Sequence, residues 1–337
     1  MSILITGGAG FIGSNLVRMM RAQGYGPLVV LDALTYAGNL RNLEGMIDRN
    51  QCVFVRGSIT DRDLVRKVIA EHKVDIILHL AAESHVDRSI ASATPFIDTN
   101  VGGTTVLLEA ARDLSVRRFV HVSTDEVYGD VPLDAEPYAE DQPLRPSSPY
   151  AASKAASDLV VQAFVRTYGL DAIITRCTNN YGPYQFPEKF IPLMIVNAME
   201  ARSLPIYGDG KQRRDWIHVD DHCAGILAAM NRGRSAEVYH FGGASELENV
   251  ELATEIIRQV GGSPSLLQYV ADRPGHDRRY ALAITKARQE LGWTPQVAFS
   301  TGLTATIAWY REHSEWSAAV RDGSYRSYYE HHYQSTF

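Results

Sequence analysis

Cysteine is scarce: Cys52, Cys177 and Cys223 are the only three in 337 residues, they lie far apart, and no C-x-x-C pair occurs. That excludes a disulfide framework and a structural zinc site, and reduced, mostly buried thiols are expected. Long apolar runs are missing as well. No stretch approaches the roughly 20 uninterrupted apolar residues of a membrane span, and no basic segment precedes an apolar one at the start, so a cytoplasmic chain without membrane partners is expected. Positive charge is not in excess. Lys plus Arg number 33 against 39 Asp plus Glu, a formal charge of -6. Neither nucleic acid nor an anionic membrane gains general electrostatic help from such a surface, and any anionic ligand must be met by a local basic cluster. What remains, with 45% hydrophobic and 21% charged residues, is the composition of a globular chain. Its length suits one large or two intimately joined domains.

Apolar runs of strand length occur at 3–6, 28–31, 53–56, 76–80, 119–123 and 172–175, separated by helix-length segments. Continuous apolar runs mark strands buried on both faces, and the intervening lengths suit crossover helices. The fold class expected is therefore α/β, a doubly wound parallel (Rossmann) sheet joined to a smaller C-terminal α/β substrate-binding domain. After about residue 176 the rhythm breaks at Asn179, Asn180, Gly182, Pro183, Pro187 and Pro192. Residues 216–230 read as a further strand and helix that return to the first sheet. The expected division is 1–176 plus about 215–243 for a dinucleotide, and 177–214 plus about 244–337 for a substrate.

Directly after the first strand stands Gly7-Gly8-Ala9-Gly10-Phe11-Ile12-Gly13, followed by a helical pattern. A turn this tight needs residues without a Cβ, so that amides at a helix N-terminus can approach a pyrophosphate. Asp32 ends the second strand, where a carboxylate accepts hydrogen bonds from a ribose diol and repels a 2′-phosphate, favouring NAD over NADP. Tyr150 and Lys154 are spaced i, i+4 and project from one helix face. An ammonium stabilises phenolate, so the pair can deprotonate a hydroxyl while its carbon gives a hydride to nicotinamide.

Thr124-Asp125-Glu126 follows the fifth strand at its carboxyl end, where ligands bind in open α/β sheets. Ser123 to Glu126 also fits a capping box, but Gly129 and Pro132 leave little room for a helix to cap. Two adjacent carboxyl groups beside a redox centre suit acid and base work in which one is protonated and the other ionised, as elimination of water requires.

The glycine turn, Asp32, Leu80-Ala81-Ala82-Glu83-Ser84, Asn100 and the Tyr150/Lys154 pair resemble the extended short-chain dehydrogenase/reductase family over nearly the whole chain. Within it, the segments 122–130, 81–89 and 179–184, with Pro187-Glu188-Lys189, are similar to the 4,6-dehydratases of nucleotide sugars. The resemblance implies one NAD used catalytically, dTDP-glucose as substrate, oxidation at C4, loss of water across C5 and C6, and return of hydride to C6. It assigns Tyr150 to the C4 hydroxyl as base, Thr124 to that oxygen, Glu126 to the C5 proton and Asp125 to the departing C6 hydroxyl. Lys154 lowers the tyrosine pKa and positions the cofactor.

Beside the cofactor the resemblance also places Phe11, Ile12, Leu34, Thr35, Ser58, Ile59, Leu80, Ala81, Ala82, Ser84, Thr99 and Asn180. Around the substrate it places Ser84, Asn179, Asn180, Lys189, Phe190, Pro205, Tyr207, Asn249, His276 and Tyr333, with Arg214 and Arg273 on the diphosphate. Arginine suits that role through its paired donors. Arg213 and Arg278 read instead as solvated charge.

Ser58 departs from the family, which more often has an Asp there to meet the adenine. His331-His332 lack further ligands at usable spacing, so no metal is expected. Histidines 79, 121, 218 and 240 read as satisfied core residues. A homodimer through the Tyr150 helix, with Leu159, Val160, Ala163 and Phe164 as its apolar face, is what the family suggests. A dehydratase acting on UDP-glucose, a 4-epimerase and a non-catalytic dinucleotide sensor stay open as alternatives; Asp125 and Glu126 argue against the epimerase.

Overall fold

A computed structural model describes residues 1–48 and 50–321 of the chain. Its strands are β1 (Ser2–Thr6), β2 (Leu28–Asp32), β3 (Cys52–Arg56), β4 (Val74–His79), β5 (Arg118–Thr124) and β6 (Ala172–Cys177), and then, in the second part, β7 (Asn179–Tyr181), β8 (Leu204–Tyr207), β9 (Arg213–His218), β10 (Val238–Phe241), β11 (Glu246–Glu248), β12 (Leu267–Val270) and β13 (Arg279–Tyr280). Seven of them form one parallel sheet in the order β10-β6-β5-β4-β1-β2-β3. This is the doubly wound parallel sheet expected from the sequence.

The continuous apolar runs have a direct cause. Ile3 and Ile5 of β1 pack with Leu16, Val17 and Met20 of the helix Phe11–Ala22, whereas Leu4 between them points to the opposite core with Ile69, Leu107 and Phe119. Both faces are covered, so no position on the strand can be polar for solvent's sake. Each such fully buried side chain stabilises the fold by about 1.5–3 kcal/mol. The strand order reverses between β1 and β4, which opens a crevice at the carboxyl ends of those strands.

A third core fills the second part, with Ile195, Ile256 and Ile307 from three helices packed around Leu204 and Ile206 of β8 and Trp216 of β9. The strand containing Trp216 does not return to the first sheet. The first half of β9 pairs with β11 and β13 and its second half with β7, while the edge beside β6 is taken by β10. The helix after it, Val219–Arg232, does return: Cys223, Ile226, Leu227 and Met230 pack with Ile3, Val120 and Val122.

The helix Pro149–Tyr168 is set by its ends. Ser148 caps it by accepting from Ala151 N at 3.1 Å, Pro149 occupies the first turn, and Gly169 closes it at φ +68°. Leu159 on this helix is 55% exposed, but Phe164, expected on the same outer face, is buried in the chain's own core beside Val161. All three cysteines are buried and unpaired. His79, His121, His218 and His240 are buried, each with a polar partner. Among the described residues no helix is long and apolar enough to cross a membrane. Tyr333 and His331-His332 lie outside the described residues.

Candidate active site

The turn after β1 leaves no space for side chains. Gly7 stands at φ +71°, and a Cβ there would lie 2.7 Å from Ala81 N; one on Gly13 would lie 2.2 Å from Gly7 O. The turn therefore presses directly on the residues that continue β4. The following helix starts at Phe11 with Gly10 as a cap that supplies no side-chain bond, and Phe11, Ile12 and Gly13 face the cavity. First-turn amides without a side-chain acceptor form a ready anion site. Asp32 accepts from Ala9 N at 2.9 Å through one oxygen and from Leu34 N at 2.8 Å through the other. Burial raises its pKa and these two bonds oppose that. Each oxygen keeps a lone pair for a ribose hydroxyl.

The Tyr150 helix begins beside the carboxyl end of β5 and packs along β5 and β6. Asn100 ties it to the strip after β4: its amide accepts from Glu83 N at 2.9 Å and donates to Glu83 O and to Ser153 Oγ at 3.0 and 2.8 Å. Lys154 Nζ donates to Val122 O at 2.8 Å, and burial lowers its pKa to about 8. The expected lowering of the phenol by Lys154 does not prevail: burial, then the charge of Glu126, push its pKa well above the ordinary value.

Thr124, Asp125 and Glu126 occupy the turn that ends β5. A single 3-10 turn, Asp125–Tyr128, does form, and its cap is Thr124 rather than Ser123, with Thr124 Oγ1 accepting from Glu126 N at 3.3 Å. The capping role and the cavity-facing role thus coincide in one residue. Asp125 Oδ1 accepts from Thr124 Oγ1 at 3.1 Å, and Oδ2 has no partner among the described residues.

A cavity of about 360 Å³, within the size range of small-molecule sites, joins these parts. Every residue assigned above to the cofactor lines it except Leu34, whose amide holds Asp32. Thr124, Asp125, Glu126, Ser84, Asn179, Lys189 and Phe190 line it too. Ser58 is engaged locally, its hydroxyl 2.8 Å from that of Thr60. Pro205, Tyr207, Arg214, Asn249, Arg273 and His276 do not line it; they stand on the side of the second part.

There Arg214 is buried over the Tyr280 ring, donating to the carbonyls of Arg213, Asp277 and Arg278. Arg273 pairs with Asp87 at 3.0 Å, and Asp87 also accepts from Tyr207 at 3.1 Å. His276 bonds Asp272 at 2.6 Å. Arg213 and Arg278 pair with Glu248 and Asp209 at the surface.

Sequence reasoning passed over two carboxylates that lay inside the quoted motifs. Asp87 neutralises Arg273. Glu188 lines the cavity beside Lys189 with its pKa raised by burial to about 7, and His85 and Arg88 approach it at 3.6 and 3.7 Å. The signal was present in Pro187-Glu188-Lys189, but an acid next to a lysine reads as a solvated pair until its burial is known.

A family model described as GDP-mannose 4,6 dehydratase matches residues 4–306. The chain is 52% identical to a dTDP-glucose 4,6-dehydratase of Streptomyces niveus over 94% of both chains, and 46% identical to dTDP-glucose 4,6-dehydratase 1 of Escherichia coli K12 over 99% of both. A crystal structure of a dTDP-glucose 4,6-dehydratase from Streptomyces venezuelae, with NAD and dTDP bound, is similar at a TM-score of 0.92 and 51% identity, covering 95% of this chain and 100% of that one. A UDP-glucose 4-epimerase of Thermotoga maritima shares the fold at 0.87 and 32%, over 93% and 100%. Matched over most of its length, the chain belongs to the GDP-mannose 4,6 dehydratase family, within the extended short-chain dehydrogenase/reductases.

Proposed function

We propose that the chain is an NAD-dependent hydro-lyase that converts dTDP-glucose to dTDP-4-keto-6-deoxyglucose. The observation that carries this reading is the adjacent Asp125 and Glu126, set with Thr124 in one turn beside Tyr150 in a shared cavity. A 4-epimerase needs no such acid and base. The names of the relatives point the same way.

The site fits NAD: the Gly7 turn is a cradle that a Cβ would fill, the uncapped helix start faces the pyrophosphate position, and Asp32 has acceptors left for a ribose. When bound, NAD would supply the hydride acceptor for C4 and the hydride donor for C6. Tyr150 receives the proton of the C4 hydroxyl, and Thr124 hydrogen-bonds that oxygen. Oxidation at C4 acidifies the hydrogen on C5, Glu126 removes it, Asp125 protonates the hydroxyl leaving C6 so that one water departs, and Glu126 returns a proton to C5 when hydride adds at C6. Lys154 holds the nicotinamide ribose. Arg214 and Arg273 grip the diphosphate, and Asn180, Lys189, Tyr207 and His276 surround the nucleotide and sugar.

The first part of the chain, with the returning helix Val219–Arg232 and β10, holds NAD, and the rest holds the nucleotide sugar. The enzyme works in the cytoplasm, in keeping with three unpaired thiols, and as a homodimer through the face bearing Leu159 and Ala163. The purified protein is incubated separately with dTDP-glucose and UDP-glucose, without added stoichiometric NAD, and followed by mass spectrometry. Loss of one water from dTDP-glucose is the expected result. Interconversion of glucose and galactose nucleotides would replace this reading with an epimerase, and turnover of UDP-glucose alone would change the base.

A further inference from the structure

Below the catalytic pair lies a buried polar chain that the reaction as written does not use. Asp158 is one turn beyond Lys154 on the same helix and fully buried. Its Oδ2 accepts from Arg176 Nε at 2.9 Å, and its Oδ1 lies 3.3 Å from His121 Nε2. Arg176, itself only 2% exposed, donates onward to the Tyr128 hydroxyl, which is 2.7 Å from His240 Nε2. A hydrophobic sheet face does not need this arrangement. Burying an ion pair can cost more desolvation than its attraction returns unless geometry and further hydrogen bonds satisfy both partners.

The charges in this layer can be counted. The ionisable groups around Lys154 are His79 on β4, His121 on β5, Arg176 and Cys177 on β6, and Tyr150 and Asp158 on its own helix; Asp125 and Glu126 stand beyond Tyr150. Burial and the neighbouring cations hold His79 and His121 in their neutral forms, His121 at about 4, and burial keeps the Cys177 thiol protonated. At neutral pH that leaves the cations Lys154 and Arg176 and the single anion Asp158 in this layer. Among the described residues the lysine has one hydrogen-bond acceptor, Val122 O, and that is a neutral carbonyl. Among the groups that bear most on Lys154, Asp158 is the carboxylate that favours its ammonium form.

We propose that Asp158 is a positioning residue: from one helical turn behind, it keeps Lys154 in the ammonium form that Tyr150 needs, and the Arg176 guanidinium bonded to it limits how strongly it does so. This rests on reading Tyr150 and Lys154 as the catalytic pair. It gives the two members of the buried pair opposite effects on one observable. Without Asp158, Lys154 loses its proton at lower pH. Without Arg176, Asp158 is left to Lys154 alone, and the lysine keeps its proton to higher pH.

The test uses the holoenzyme, Asp158→Asn, Arg176→Met and the double variant. Two quantities are recorded: the pH profile of kcat on dTDP-glucose, and the near-ultraviolet absorbance of the Tyr150 phenolate, taken as the difference from Tyr150→Phe. Asp158→Asn is expected to move the alkaline limb of kcat to lower pH by about one unit, roughly a tenfold loss above it, and to move the phenolate midpoint upward. Arg176→Met moves both the other way. A purely structural pair lowers Tm and leaves both midpoints at their wild-type positions, and that result overturns the proposal. If Asp158→Asn, with its orphaned Arg176, does not fold, the double variant decides, because it buries no unpaired charge. An alkaline limb at lower pH in that variant supports the role, and one at the wild-type position overturns it. If the wild-type protein does not turn over dTDP-glucose, the reading of the reaction falls, while the phenolate titration still decides the part played by Asp158.

Discussion

Asp125 and Glu126 are neighbours in sequence with unequal surroundings. Burial raises both pKa values, but Glu126 is drawn back by three cations, Arg273, Lys189 and Arg214, against Asp277, whereas Asp125 feels the negative charge of Glu126 and of Asp215 against the Thr124 hydrogen bond and Arg214. Asp125 is consequently pushed well above the usual carboxylate range and Glu126 less so. The environment separates an acid from a base without any difference in chemical type.

That separation predicts distinct failures for the two isosteric variants. Glu126→Gln should stop release of the C5 proton, so that neither water loss nor deuterium uptake from solvent at C5 occurs, while oxidation at C4 persists. Asp125→Asn should still exchange the C5 hydrogen but lose water about 10²–10⁴ times more slowly. Mass spectrometry in heavy water distinguishes them. Full product formation by Glu126→Gln would remove its role as base.

A bell-shaped pH dependence of kcat is expected from the same groups. Glu126 must be ionised, and its pKa is raised, so activity falls as pH drops through a value above the ordinary glutamate range. Lys154 must be protonated, and its pKa is lowered to about 8, so activity also falls as pH rises past that region. In Glu126→Gln, residual C4 oxidation should lose the contribution of Glu126 to the acid limb and keep the dependence on Tyr150 and Lys154. An acid limb that persists unchanged in this variant would assign it to another group, Tyr150 included.

Gly7→Ala tests the dinucleotide cradle. The residue is at φ +71° and its new Cβ would meet Ala81 N at 2.7 Å, so the turn must shift away from the strip after β4. The conformational strain alone is about 1–3 kcal/mol. Purified variant should carry little NAD and show a lower Tm. Wild-type NAD content would mean that the turn is more adaptable than its packing indicates.

Much of this was legible in the chain because each signal had a local physical cause. Runs such as 3–6 are apolar at every position since both sheet faces are covered, and Gly7 to Gly13 carry the turn's steric demand in their composition. The sequence misleads where burial or long-range pairing decides. The strand at Trp216 has the pattern of a sheet strand, but its partners lie in segments distant in sequence, β11, β13 and β7, and nothing local names them. Phe164 has helical spacing with Leu159 and Val160, yet the core lies beneath it. The i, i+4 spacing of Tyr150 and Lys154 implies a lowered phenol, but burial and the carboxyl group of Glu126 in the turn after β5 decide otherwise, and neither is visible from spacing.

Arg214 gives the sharpest test of how the second part grips its ligand. It is buried, stacks on Tyr280 at 4.3 Å, and its guanidinium holds the carbonyls of Arg213, Asp277 and Arg278, so it fixes the segment that carries Arg273 and His276 as well as offering charge. None of these contacts reaches the glycine turn or Asp32. Arg214→Ala should therefore raise KM for dTDP-glucose at least about tenfold, the loss expected from hydrogen bonds to a charged group at roughly 1.5–3 kcal/mol, with NAD content unchanged. Arg214→Lys keeps a positive charge but loses the planar fork that spans three carbonyls, so it should recover only part of the loss. Charge and geometry are thereby separated: full recovery by lysine would show that charge alone matters, and a wild-type KM in Arg214→Ala would take this residue out of the substrate site.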